Sequence, residues 1–73
     1  MISGIWKETV GSYHASYSTY EFVQMFKGKV VITPDNRGSS ATVESGDMFV
    51  FEADFKGSWK IEENVTKYFC FVL

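Results

Sequence analysis

Apolar residues recur at every second position along most of this chain, in short runs of Val, Ile, Phe, Tyr and Trp separated by Gly, Ser, Asn and Asp. A period of two sets alternate side chains on opposite faces of an extended strand. The pattern predicts strands over residues 5–10, 13–17, 21–27, 29–33, 41–44, 48–52, 58–62 and 66–72. No stretch of ten residues keeps a helical stripe free of β-branched or turn residues, so little or no helix is expected. Eight short strands in one small chain point to an all-β barrel or sandwich.

The breaks between runs carry turn chemistry. In Pro34-Asp35-Asn36-Arg37-Gly38-Ser39-Ser40 the proline presets φ and the Asx side chains can bond the local backbone, which reads as the end of a hairpin. Ser45-Gly46-Asp47 is a second turn, with Asp47 placed to accept from nearby amides. No repeat, linker or composition shift divides the chain, and residues 1–73 read as one domain.

Strand parity sorts the side chains further. Trp59 and Ile61 oppose Ser58, Lys60 and Glu62, as in a half-buried strand. Glu21, Val23 and Met25 share one face while Phe22 and Phe26 share the other. The last strand is apolar on both faces, Tyr68, Cys70 and Val72 backed by Phe69, Phe71 and Leu73. A strand apolar on both sides must be covered on both. Some of Phe22, Phe26, Phe49, Phe51, Phe69 and Phe71 are therefore expected at a subunit interface, the competing expectation being that they fill one compact core.

Composition strengthens the case for association. Seventy-three residues bury a core worth roughly 3–5 kcal/mol unless something staples it. One cysteine cannot form an intramolecular disulfide, and one histidine with one cysteine makes no structural zinc site. A homodimer is the expected remedy, helped by seven Phe, four Tyr and two Trp. The net charge of -2 and the lack of any Lys/Arg cluster argue against a nucleic-acid partner, including an OB-like binder. No apolar run approaches the length of a membrane span, and no basic start precedes an apolar segment. A cytoplasmic protein without nucleic-acid or membrane partners is the expectation.

Certain residues in order carry a resemblance. Ile5-Trp6, Gly11, Tyr17, Glu21, Lys27-Gly28-Lys29-Val30, Gly46-Asp47, Gly57-Ser58-Trp59-Lys60 and Val65-Thr66-Lys67-Tyr68 resemble the small cupins related to the ureidoglycine aminohydrolase cupin domain. The resemblance spans nearly the whole chain. It implies a cupin-type jelly-roll β-barrel whose interior holds a metal ion or a small ligand, with dimers common and with an N-terminal strand that this chain lacks, so that Met1 need not be the natural start. For a cupin with a metal site it implies two histidines and a glutamate in the first half and a third histidine in the second, the third position being glycine in many of these small cupins. Here Glu21 matches the glutamate. Ala15 and Tyr17, or His14 and Ser16, stand where the histidine pair is expected, and Gly57 stands at the third position. Glu52-Ala53-Asp54 replaces a Pro-x-Gly, and Thr66 replaces an arginine.

The chemistry that remains is sparse. A metal site needs at least three ligands, and only His14 and Glu21 offer themselves. No cofactor is expected, a divalent metal at these two residues being the minor alternative. Glu21 among apolar neighbours is a candidate acid or base, provided no lysine or set of donors holds its charge. The plain alternative is a glutamate at the barrel mouth bonded to a tyrosine. Tyr17, Glu21, Trp59 and His14 are the candidate ligand contacts, Trp59 and Trp6 by their broad faces. Lys67 could meet Glu21 or a ligand carboxylate, the default being an exposed lysine on an edge strand, and an inert, buried thiol is the default reading of Cys70. Function reduces to a small-molecule-binding barrel, or else an enzyme acting on a ureido, amino or sugar-like compound through Glu21.

Overall fold

The structure, a computed structural model, describes residues 1–36 and 38–72; Arg37 of the expected loop and Leu73 of the terminal strand lie outside them. It is all strand and turn: β1 Ile2–Glu8, β2 Gly11–Ser16, β3 Tyr20–Pro34, β4 Ala41–Glu44, β5 Met48–Phe51 and β6 Lys56–Val72. There is no helix among the described residues, and so none long and apolar enough to cross a membrane.

Six strands stand where eight were expected, because two breaks are bends inside continuous strands. β3 and β6 run antiparallel over most of their length, with Tyr20 opposite Val72 at one end and Pro34 opposite Gly57 at the other. Their register shifts between Met25 and Val30. On one side of this bend β5 and β1 flank the pair, and on the other side β4 and β2 do. One continuous six-stranded sheet is thereby folded into two four-stranded halves, the sandwiched barrel that the resemblance implies. Bulges that increase bend and twist are a usual means of closing a sheet on itself.

Gly28 makes the bend possible. Its φ is +104°, and a Cβ there would lie 2.5 Å from the Asn64 carbonyl oxygen and 2.9 Å from that of Glu63. Neither backbone group can move aside cheaply. Gly28→Ala is expected to lose on the order of 1–3 kcal/mol from backbone strain alone, read as a lower urea midpoint; an unchanged midpoint would show that the bend does not depend on this residue. The Ser45-Gly46-Asp47 turn braces the same point. Gly46 N donates to Met25 O, Met25 N donates to Asp47 O, and the Ser45 hydroxyl donates to Phe26 O. As expected, Asp47 accepts from a nearby amide, that of Glu44 at 2.8 Å, and Asn36 in the hairpin loop accepts from Gly38 N.

The inner faces of the two halves enclose Val23, Met25, Val30, Ile32, Phe51, Trp59, Ile61 and Val65. The six phenylalanines proposed for an interface divide by parity. Phe51 is in the core, Phe49 packs against it, and Phe69 and Phe71 line an internal cavity. Only Phe22 and Phe26 lie away from the interior. Register sets Val50, Phe22, Cys70 and Ser3 in one row across the outer face, and Met48, Gln24, Tyr68 and Ile5 in the next. Tyr20 and Val72 continue it, and none of these ten residues is charged. Cys70, expected to be buried, is half-buried on this outer face.

Candidate functional site

The cavity occupies about 330 Å³ and is lined by Trp6, Tyr13, His14, Ala15, Tyr17, Glu21, Trp59, Lys67, Phe69 and Phe71. That volume is at the small end of the range for ligand pockets. Two adjacent turns fix one wall. Tyr17 N donates to Phe55 O and Asp54 N donates to Tyr17 O, both at 2.9 Å. Asp54, in the triplet that replaces Pro-x-Gly, holds φ at +69°, a conformation aspartate tolerates better than most side chains. This pinning decides the first of the open alternatives: Ala15 and Tyr17 turn inward beside Glu21, while His14 and Ser16 are exposed.

Glu21 is 2 % exposed and Lys67 5 %. Lys67 Nζ donates to Glu21 Oε2 at 3.2 Å. The expectation of an exposed edge lysine is overturned because β6 lies between β1 and β3, and Lys67 shares the inward parity of Phe69 and Phe71. The ammonium also sits over two indoles, 4.9 Å from the Trp6 ring centre and 4.4 Å from that of Trp59. These rings meet edge to face at 6.0 Å. A cation between two π faces and against a carboxylate is well held without water.

Two buried polar atoms have no hydrogen-bond partner among the described residues, Glu21 Oε1 and Trp59 Nε1. Tyr17 is near both, with its ring stacked on Phe51 at 4.8 Å. Burial pushes the Tyr17 hydroxyl above its ordinary value of 10.0, and the charge of Glu21 pushes it the same way. Burial lowers Lys67 below 10.5, with Glu21 opposing.

These shifts have opposite signs in alkali. An unfolded chain ionises Tyr17 near 10.0 while the folded one keeps its proton, so this residue's contribution is full below pH 10.0 and falls as the pH rises beyond it. For Lys67 the unfolded chain holds the extra proton, so stability rises with pH towards 10.5. Tyr17→Phe keeps the stacked ring and is expected to remove the decline above pH 10, measured as urea midpoints from pH 8 to 11.5; a decline equal to wild type would show that Tyr17 is not its source.

His14 lies at the rim, half exposed, with Nε2 2.7 Å from Asp35 Oδ2. It does not approach Glu21 as a co-ligand. Among the described residues no three of His, Cys, Asp or Glu converge, and the one carboxylate in the cavity is engaged by an ammonium. The residues present therefore do not fit the metal centre implied by the cupin resemblance. The structure brings Tyr17, Glu21, Trp59 and Trp6 to the cavity as expected, keeps His14 at its rim away from Glu21, and adds Phe69, Phe71 and a buried Lys67. Parity with the apolar alternation of 67–71 was the signal for Lys67.

Comparison with known proteins agrees with this geometry. The model of the EutQ-like cupin domain matches residues 1–69. A DUF861-family protein from Thermotoga maritima superposes with a TM-score of 0.91 at 29% identity, covering 94% of this chain and 77% of that one. A DUF861-family protein from Pseudomonas syringae gives 0.82 at 24% identity, over 96% of this chain and 30% of the other. A putative ethanolamine utilization protein Q from Salmonella typhimurium gives 0.83 at 10% identity, over 94% and 55% respectively. The chain thus spans little more than half of that protein. No curated protein matches the chain by sequence. These likenesses establish a small cupin without singling out the ureidoglycine aminohydrolase domain.

Proposed function

The chain belongs to the EutQ-like cupin domain family, and on that premise we propose that its barrel binds a small molecule, with the Glu21–Lys67 pair as its polar floor and Trp6, Tyr17 and Trp59 as its walls. The observation that carries this reading is the cavity itself: about 330 Å³, mostly aromatic, with a few convergent polar groups. That is the common composition of a ligand pocket. The pair is formed in advance, so binding need not order it. Metal-independence belongs to the same reading, as does residence in the cytoplasm, where the lone Cys70 stays reduced.

The test fills the cavity. Ala15 lines it opposite Gly57, and Ala15→Phe is expected to abolish saturable binding of single-ring probes, toluene and benzamide, while leaving the fold intact by circular dichroism. Binding unaffected by the added ring would place it elsewhere.

A second reading has one specific observation behind it. The free oxygen of Glu21 beside the Tyr17 hydroxyl is an arrangement suited to moving a proton, which keeps an enzyme acting on a ureido, amino or sugar-like compound, as in the ureidoglycine aminohydrolase relatives, as the alternative. Lys67 weighs against it, since its ammonium already engages the other oxygen of the same carboxylate. We also propose that two copies of the chain join through the uncharged outer face that carries Phe22, Met48 and Val50.

A further inference from the structure

An amine is a nucleophile only without its extra proton, and apolar surroundings favour that neutral form. Lys67 is the one buried lysine among the described residues, whereas Lys7, Lys27, Lys56 and Lys60 are exposed. It lines the cavity with 7 % of its side chain accessible, and its Nζ lies over the rings of Trp6 and Trp59. Burial lowers it although the charge of Glu21 pulls the other way, so desolvation outweighs the ion pair.

Glu21 completes the chemistry. Its Oε2 accepts from Nζ at 3.2 Å, so the proton that must leave the amine has an acceptor already in place, and the same carboxyl can return that proton to a departing hydroxyl. The lining selects the electrophile. Trp6, Tyr17, Phe69 and Phe71 suit a flat apolar body, and about 330 Å³ holds one ring with a small substituent. A carboxylate or phosphate on that body would find no cation to meet it, since Lys67 is engaged with the carbonyl, and its charge would be buried beside Glu21. Burying such an unpaired charge is strongly disfavoured.

Resting on the binding reading above, we infer that Lys67 reversibly captures an uncharged, apolar aldehyde in this cavity as an imine, with Glu21 carrying the proton. Nζ gives one proton to Glu21, and its freed lone pair bonds the carbonyl carbon, whose π pair passes to oxygen. A second proton moves from nitrogen to that oxygen, giving a carbinolamine. Glu21 then protonates the hydroxyl, water leaves with the C–O pair, and the nitrogen lone pair closes a C=N bond that keeps the third proton. Nothing is oxidised or reduced. The iminium faces Glu21 as the ammonium did, so no charge is added to the interior.

Benzaldehyde is the probe, with cyanoborohydride present at neutral pH to reduce the imine to a stable secondary amine. Intact mass and peptide mapping are expected to find one benzyl group on Lys67 ahead of any exposed lysine. Ala15→Phe, which fills the cavity, is expected to lose the Lys67 adduct while the labelling of exposed lysines continues. The charged analogue para-carboxybenzaldehyde is expected to label Lys67 more slowly than benzaldehyde does, and the exposed lysines no more slowly. Labelling confined to exposed amines overturns the inference, as does equal labelling of Lys67 in Ala15→Phe, which would show that the aldehyde arrives by another route. Equal labelling of Lys67 by the charged analogue overturns the uncharged class. A toluene titration separates the two readings: saturable toluene binding beside an unlabelled Lys67 leaves the binding barrel standing, and the absence of both ends the barrel reading as well.

Discussion

Lys67→Met is expected to leave the protein largely unfolded at neutral pH. The substitution keeps an unbranched apolar stem between Trp6 and Trp59, so what it removes is the charge. Glu21, 2 % exposed, would then be a buried carboxylate without its ammonium, and breaking a buried pair from one side costs about 3–5 kcal/mol. A domain of this length has about that much to lose. The partner substitution distinguishes charge from packing. Glu21→Gln combined with Lys67→Met removes both charges, and the double variant is expected to regain most of the loss, giving a coupling of at least about 2 kcal/mol in a double-mutant cycle. Urea midpoints measure it where the variants fold, and circular dichroism where they do not. A Lys67→Met variant as stable as wild type would mean that the carboxylate reaches water, and the reading of a neutral preformed floor would fail.

That pair also shows where the sequence was legible and where it was not. Alternation along 21–25 assigns Glu21 to the inside, and alternation along 67–71 assigns Lys67 to the same side as Phe69 and Phe71. Both assignments are local. The meeting of the two is not: 46 residues separate them, and it depends on β6 lying between β1 and β3. A lysine judged by polarity alone reads as exposed, whereas its parity reads as buried. The strand count fails for a related reason. Gly28 carries turn chemistry, and whether such a glycine ends a strand or bends it depends on the partner that continues past it. Here the Glu63 and Asn64 backbone lies close against Gly28, and β3 runs on. The short strand Ala41–Glu44, bounded by turns on both sides, is local throughout and emerges as expected.

Histidine placement follows the same logic. Sequence spacing left Ala15 and Tyr17 balanced against His14 and Ser16, because one residue more or less in the connection to Glu21 inverts the face. Two backbone hydrogen bonds between Tyr17 and the Asp54-Phe55 turn settle it. The interior thus receives an alanine and a tyrosine where the family pattern has metal ligands, and Lys67 supplies the positive charge opposite Glu21.

Val50→Lys is expected to convert the dimer proposed above into a monomer while leaving each chain folded. Val50 is 55 % exposed and Met48 64 %, so in a separate chain a lysine at position 50 replaces a side chain already in water and costs little. In the dimer the same position lies within a face without charges, and a two-fold interface would bring both new lysines into it. Desolvated charge and like-charge proximity cost several kcal/mol, which is at least about a hundredfold in the dissociation constant. The area required is modest. A standard interface takes roughly 800 Å² from each partner, about a sixth of the 4672 Å² that this chain exposes. Light scattering after size exclusion at micromolar concentration is expected to give twice the 8.3 kDa chain mass for wild type and the single mass for the variant. Thermal stability should then depend on concentration in wild type alone, because association adds to stability by mass action. A monomeric wild type would sink the proposed dimer, and a dimeric Val50→Lys variant would move the interface to another face.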